Sequence, residues 1–418
     1  MAVKFKIKDT PQNIVNTALE ELAPRFKEID EITEFNQAKV LSAFQNNKIG
    51  EEHFYTVTGY GHDDLGREAL DKVYAEVFKA EKAIVRPHFV SGTHTIATVL
   101  FGILRFQDVL ISAAGAPYDT LDKVIGHQTK TKESLWGHGV DYLEIPLIGG
   151  EIVDFGRIIR SITPKTKMVL IQRSRGYSLR PSVSISQIEQ ICKIVHDKDP
   201  NIICFVDNCY GEFVEDKEPI EVGADLMCGS LIKNPGGGIV EAGGYIAGRA
   251  DLIDLCAARL TAPGIYEQGG AMFNQTRTML QGFFMSPSIV SEAHKGAILT
   301  AKVFENINVK TYPRSKDKRT DLIQAIRLED PELQKLLCRI IQKYSPVDSH
   351  LTPIPDEVPG YTNQLIMAGG SFIEGSTIEL SADGPMREPY AIYIQGGLNF
   401  SHVKITLKGI LKELSALN

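Results

Sequence analysis

Residues 201–238 read NIICFVDNCYGEFVEDKEPIEVGADLMCGSLIKNPGGG, and the fold turns on how this stretch is taken. It holds two short apolar runs, NIICFVD and ADLMCGS, neither with the period of a helix face. Continuous apolar runs of this length read as strands buried on both sides, the habit of parallel sheets lying between helices. Each leads to a chemically capable residue. Asp207 closes the first, and Lys233 follows the second, just before Asn234-Pro235-Gly236-Gly237-Gly238.

Five similar runs lie on either side: AIVRP, DVLISA, VDYLEIP, KMVLIQRS and GGYIAG. Helical patterns such as HTIATVLFGIL and SISQIEQICKIVHD separate them. This alternation predicts an α/β fold built on a large, mostly parallel seven-stranded sheet. Upstream, Leu70, Val73, Tyr74, Val77 and Phe78 share one helix face. The first fifty residues read as helices with polar faces, a poor core by themselves. The segment from PGIYEQGG to MSPS, near 264–290, breaks the pattern, and helices mixed with strands follow it. The expected organisation is a helical arm over 1–55, a large α/β domain over 56–285 and a smaller α+β domain over 286–418.

The composition is that of a globular chain: 418 residues, 43% hydrophobic and 23% charged, with a net charge of −7. An acidic balance excludes nucleic acid as the main partner, because phosphate neutralisation needs a basic surface. The opening MAVKFKIKDT lacks the apolar stretch of a secretory signal, and no run approaches a membrane span. The six cysteines form no CxxC pair, which fits reduced thiols and a cytoplasmic protein. His62, His88 and His94 have no metal-ligand spacing, so no metal is expected. A nicotinamide cofactor is disfavoured too, since GYGHDDLG has the wrong glycine spacing and no strand before it.

Three segments can carry chemistry, all at strand ends or helix starts, where ligands of open α/β sheets bind. Ser91-Gly92-Thr93 opens a helix whose free N–H groups and dipole suit an anion, although a plain serine cap reads the same way. Asp207 sits at a strand end, and the plainer reading is a turn cap. Lys233 ends an apolar run with Pro and glycines after it, which deny it a helix and leave space for its amine. Desolvation there would ease its deprotonation, as imine formation requires; the plainer reading is a solvated loop lysine.

The order of anion loop, acid and lysine resembles the fold-type I enzymes of pyridoxal 5'-phosphate, the aspartate aminotransferase fold. The detail is similar to the Cys/Met-metabolism family of cystathionine lyases and methionine γ-lyase. Ser230 stands three residues before Lys233, as in that family's serine-x-x-lysine pattern, and Ala116-Pro117-Tyr118-Asp119-Thr120 follows a strand where the family carries its ring-stacking tyrosine. The resemblance implies that Lys233 holds the cofactor as an imine and that Asp207 protonates its pyridine nitrogen. It further implies that Ser91, Gly92, Thr93 and Ser230 bind its phosphate, and that Tyr118 stacks on the ring and protonates a leaving group. Tyr60 occupies the place of a residue that reaches the neighbouring subunit's phosphate, so a homodimer or homotetramer with shared sites is implied.

The departures matter as well. The family's arginine two after the tyrosine is His62 here, and Gln172-Arg173-Ser174-Arg175-Gly176-Tyr177 and Asn234-Pro235-Gly236-Gly237-Gly238 replace two of its loops. With GYGHDDLGRE, VRPHFVSGTH and QRSRGYSLRPS, they resemble the divergent aluminium-resistance, methionine γ-lyase-like branch. The implied function is a carbon–sulfur lyase on a small amino acid such as cystathionine, cysteine or methionine. Aminotransfer and a non-catalytic binding role are the alternatives. An amino-acid carboxylate calls for a bidentate cation, for which Arg387 is the candidate, with Arg175 and Arg173, closer in sequence to the cofactor, as rivals.

Overall fold

In the computed structural model, which describes residues 5–58 and 62–416, all seven apolar runs become strands of one sheet. The chain opens with α1 (Pro11–Asn46) and α2 (Leu65–Val77). The sheet strands are β1 (Lys82–Arg86), β2 (Val109–Ser112), β3 (Asp141–Glu144), β4 (Thr166–Gln172), β5 (Ile203–Asp207), β6 (Leu226–Ser230) and β7 (Gly244–Gly248). Between and after them run α3 (Gly92–Ile103), α4 (Asp119–Ile125), α5 (Phe155–Ser161), α6 (Ile185–Lys198) and α7 (Ala250–Leu260).

The strand order is β1-β7-β6-β5-β4-β2-β3, with β7 antiparallel to both neighbours and the remaining pairs parallel. Alternation splits each central strand between two cores. Ile203 and Phe205 of β5 pack with α3 and α7 on one face, and Cys204 and Val206 pack with α2 and α6 on the other. Both faces are thereby covered, which is why these runs are apolar throughout. The six cysteines are free and buried.

Beyond α7 come α8 (Thr276–Asn306), β8 (Thr311–Tyr312), β9 (Gln324–Arg327), α9 (Pro331–Lys343), β10 (Leu365–Ala368), β11 (Ser381–Pro385), β12 (Ala391–Gln395) and α10 (Phe400–Ser415). The five strands form an antiparallel sheet in the order β10-β11-β12-β9-β8. No helix among the described residues is long and apolar enough to cross a membrane.

Two sequence expectations need correction. The segment expected to break the pattern near 264–290 instead starts α8 at Thr276, which runs unbroken through Pro287 and across the expected boundary at 285/286. An internal proline costs a helix roughly 3 kcal/mol, and the buried Met279, Leu280 and Phe283 offset it. The several helices expected over the first fifty residues are instead one, α1, which packs as an arm on both cores: its Val15, Ala18 and Leu22 enter the small-sheet core and its Val40 and Ala43 the large one.

A buried polar network holds the loops at the carboxyl end of the sheet. Arg173, fully buried just after β4, donates to Asn208 (2.8 Å) and pairs with Glu215 (3.0 Å) and Glu218 (3.4 Å). Asn208 donates in turn to Glu218 (3.0 Å) and Tyr245 (3.3 Å), and Tyr245 donates to Glu212 (2.9 Å). The carbonyl of Glu212 accepts from the Asn234 side chain at 3.0 Å, which ties the loop after Asp207 to the one bearing Lys233.

Phe283 stacks on Tyr74 with ring centroids 3.7 Å apart and meets Phe78 edge-on, so it joins α8 to α2. Phe283→Ala is expected to cost about 3–5 kcal/mol, read as a lowered urea midpoint. A second prediction concerns Glu212. Burial, reinforced by Glu218, pushes its carboxyl up to about 8 from 4.5. The folded protein therefore keeps a proton that the unfolded chain releases, and stability falls as pH rises from about 4.5 to about 8. Glu212→Gln should flatten that slope in melting midpoints recorded across the window, and an unchanged slope would remove Glu212 as its source.

Candidate active site

The loops that follow β2, β4, β5 and β6 face β11 and the loops around it across a cavity of about 620 Å³. Gly92, Thr93, Tyr118, Asp207 and Lys233, all singled out by sequence, line it together. Their meeting has a topological cause. Parallel strands deliver their carboxyl ends to one edge, and the α3 N-terminus starts from the same side.

At that N-terminus Ser91 accepts the His94 N–H at 3.0 Å, so its hydroxyl serves as helix cap and does not line the cavity. Gly92 leaves a gap before β6. A Cβ there would lie 3.3 Å from Ser230 Cβ and 3.7 Å from Cys209 Sγ. The Ser230 hydroxyl behind it is buried without a partner. Thr93 Oγ1 lies 2.8 Å from Thr120 Oγ1. Backbone donors at a helix start, room beside a glycine and an unsatisfied hydroxyl make a cradle for an anionic group. Tyr60 lies outside the described residues.

Asp207 is buried at the end of β5, and one carboxylate oxygen accepts the Cys209 N–H at 3.1 Å. Burial raises its pKa, while the Cys209 N–H, Lys233 and Arg180 pull it back down. Lys233 Nζ sits 3.8 Å from the centroid of the Tyr210 ring. Here the expectation of an easily deprotonated lysine is corrected. Burial alone would lower the ammonium, but Tyr210, Cys209 and Asp207 outweigh it and hold the group above its ordinary value. The glycines after Lys233 also have another purpose than clearance for its amine. A Cβ on Gly236 would fall 1.7 Å from the Leu231 carbonyl, and one on Gly237, at φ +57°, would fall 2.4 Å from the Gly282 carbonyl of α8. They let the lysine loop pack backbone to backbone.

Tyr118 precedes α4, with its N–H held by the Gln172 side chain and its hydroxyl 2.5 Å from that of Tyr361. Tyr177 packs 5.3 Å from the Tyr118 ring and donates to Asp383 at 2.8 Å. Tyr361, Tyr177, Tyr210 and Asp383 line the cavity, and none was picked out from sequence. Asp383 lies within ADGP, which reads as a turn yet forms β11. Tyr210 stands out locally only by its left-handed backbone, φ +70°.

None of the three candidate arginines lines the cavity, and Arg173 is paired with Glu215 and Glu218. Arg387 pairs with Asp119 at 3.1 Å and donates to the Tyr177 carbonyl at 3.3 Å, clamping the tyrosine-bearing turns to the small sheet. Arg175 is buried, with its N–H donating to Asp321 at 3.0 Å and its Nε 3.7 Å from the same carboxylate. Among the described residues, His196, Cys204 and Asp225 bring possible metal donors within 4.8 Å of one another. The Asp225 carboxylate there already takes the Cys204 N–H (2.8 Å) and Arg249 (3.1 Å).

A methionine gamma-lyase family model matches residues 11–415. The uncharacterised protein YnbB of Bacillus subtilis (strain 168) is 46% identical over 93% of this chain and 93% of its own length. A Listeria monocytogenes (strain 4b F2365) structure, put forward as a cystathionine beta-lyase involved in aluminum resistance, is 49% identical. It superposes with a TM-score of 0.93, covering 96% of this chain and 99% of that one. A carbon-sulfur lyase involved in aluminum resistance from Clostridium novyi NT is 45% identical, with a TM-score of 0.92 and 96% coverage of each chain. The metB structure of Corynebacterium glutamicum, at 16% identity and TM-score 0.61 over 87% of this chain and 88% of that one, shares the fold alone. The chain belongs to the methionine gamma-lyase family, within its aluminium-resistance branch.

Proposed function

We propose that this protein is a pyridoxal 5'-phosphate-dependent carbon–sulfur lyase acting on a sulfur-containing amino acid. The observation that carries the reading is the shared cavity. A lysine amine and a buried carboxylate line it together with the α3 anion cradle, in front of an unpartnered Ser230 hydroxyl. These residues fit the cofactor: Lys233 for its aldehyde, Asp207 for its ring nitrogen, and Gly92, Thr93 and Ser230 for its phosphate. When bound, the cofactor supplies an electron sink for the bond cleaved at the α-carbon.

The chain's own residues then divide the proton work. With the cofactor held, Lys233 Nζ would be the base placed to take the substrate's α-proton. The carbon–sulfur bond breaks with its electron pair on sulfur, and Tyr118 Oη gives that sulfur a proton. The Tyr361 hydroxyl at 2.5 Å keeps the Tyr118 phenol aimed into the cavity, and burial holds that phenol well above its usual pKa, so it stays protonated and able to donate. Asp207 keeps the ring nitrogen protonated through its buried carboxylate.

The reading includes a homodimer. Tyr55 (66% exposed), Val90 (80%) and Phe273 (64%) leave apolar surface uncovered, and Val90 adjoins the anion cradle at Ser91. These are the side chains that a second copy packed beside the site would cover. Light scattering should give twice the chain mass, and Val90→Asp with Phe273→Asp should shift it toward one chain.

Borohydride treatment of the protein incubated with the cofactor should fix a label on the peptide containing Lys233, and Lys233→Ala should abolish that label. Incubation with cystathionine, cysteine or methionine should release ammonia and a 2-oxo acid. Tyr118→Phe should lower kcat about 10²–10⁴-fold, the usual contribution of a general acid. Stoichiometric pyridoxamine phosphate in place of ammonia would show aminotransfer instead, and no label on Lys233 would end the cofactor reading.

A further inference from the structure

The small-sheet wall of the cavity carries a carboxylate and two hydroxyls and no cation among the described residues. Ser381 and Asp383 alternate along β11 and therefore project from one face, and both line the cavity. Asp383 Oδ2 accepts from Tyr177 Oη and Gln395 Nε2, each at 2.8 Å, while Oδ1 has no partner among the described residues. The hydroxyls of Ser376 (2% exposed) and Ser381 (5%) are buried and unpartnered although both residues line the cavity. This wall is pinned beside the lysine by the Thr377 N–H, which donates to the Ile232 carbonyl at 3.3 Å.

Unsatisfied buried polar atoms are costly, so a group that completes them is strongly favoured. The Asp383 oxygen calls for a donor, and each hydroxyl can accept from one as well. Among the described lining residues Lys233 is the one formal cation, while Asp348 and Glu374 add negative charge at the exposed rim. The Arg387 guanidinium pairs with Asp119, and Arg175 is buried with its Nε 3.7 Å from the Asp321 carboxylate, so neither cation, which would favour an acidic side chain, lines the cavity. An ammonium has three N–H donors and no acceptor, which matches one carboxylate oxygen and two hydroxyls. A second carboxylate brought to the same place would meet Asp383 and leave the hydroxyls to offset the repulsion.

We propose that Asp383, with Ser376 and Ser381, is the specificity wall of this site and selects amino-acid substrates whose sulfur-bearing side chain ends in an ammonium over those ending only in a carboxylate. The inference rests on the lyase reading above and names its substrate class. Burial raises the Asp383 carboxyl, and an ammonium against Oδ1 would draw it back toward ionisation.

The test uses two thioethers of nearly equal length, S-(2-aminoethyl)cysteine and S-(2-carboxyethyl)cysteine, with the full-length protein loaded with pyridoxal phosphate. Binding is read from the change in cofactor absorbance and, separately, from the shift in melting temperature. The aminoethyl compound should bind at least about tenfold more tightly. Asp383→Asn should bring the ratio of the two affinities close to one, and Ser376→Ala with Ser381→Ala should reduce it. A ratio cancels general losses of folding or cofactor loading. Equal or tighter binding of the carboxyethyl compound by the unaltered protein would overturn the inference while leaving the lyase reading intact. If neither thioether perturbs the loaded protein, this inference falls, while the lyase reading is decided by the ammonia-release assay above.

Discussion

The buried guanidinium of Arg173 is the constraint on which the rest of the site depends. A fixed charge carried into the interior costs several kcal/mol unless it is paired and hydrogen-bonded. Here it meets Glu215, Glu218 and Asn208, all within 3.4 Å. Those partners lie on the loop after Asp207, so satisfying the arginine dictates the loop's path. The same network passes through Tyr245 and Glu212 to Asn234, the neighbour of Lys233. Two segments that must present an acid and an amine to one cavity are thus positioned by one polar cluster beneath them. An apolar filling would occupy the space without such directional bonds.

Above that platform the electrostatics are lopsided. Asp207, Asp348, Glu374 and Asp383 line the cavity with a lone lysine among the described residues, and three tyrosine rings stand between the two sheets. The cations that sequence offered for an anionic substrate act elsewhere. Arg387 clamps the Tyr118 turn through Asp119, and Arg175 secures its own loop through Asp321. Each serves to join the large sheet to the small one. The cavity is left to be shaped by hydroxyls and carboxylates.

Much of this was legible in the chain because it depends on local chemistry. The seven apolar runs read as strands, and crossovers between parallel strands bring Asp207, Lys233 and the α3 start to a common edge. Gly92 followed from the same geometry, and Ser230 from the resemblance to the serine-x-x-lysine pattern. What escaped was long-range. Asp383 hides in ADGP, which local propensity assigns to a turn until pairing with β10 and β12 makes it a strand. Tyr361 comes from a loop whose sequence has no feature pointing to Tyr118, 2.5 Å away. The segment 264–290 read as a break, yet α8 starts within it at Thr276, because the burial of Phe283 against Tyr74 that carries the helix through Pro287 is not visible in sequence.

The sequence by itself determined the fold class, the order of anion loop, acid and lysine, and the edge of the sheet where they meet. These follow from hydrophobic period, glycine and proline positions and strand order, all of which are properties of neighbours along the chain. Tertiary structure alone decided the charge state around Lys233, the diversion of Arg387 and Arg175 to structural pairs, and the acceptor-rich wall at Asp383. Those depend on which groups from distant segments share a desolvated space, where a partner's sign decides whether a charge is held, neutralised or left seeking a ligand.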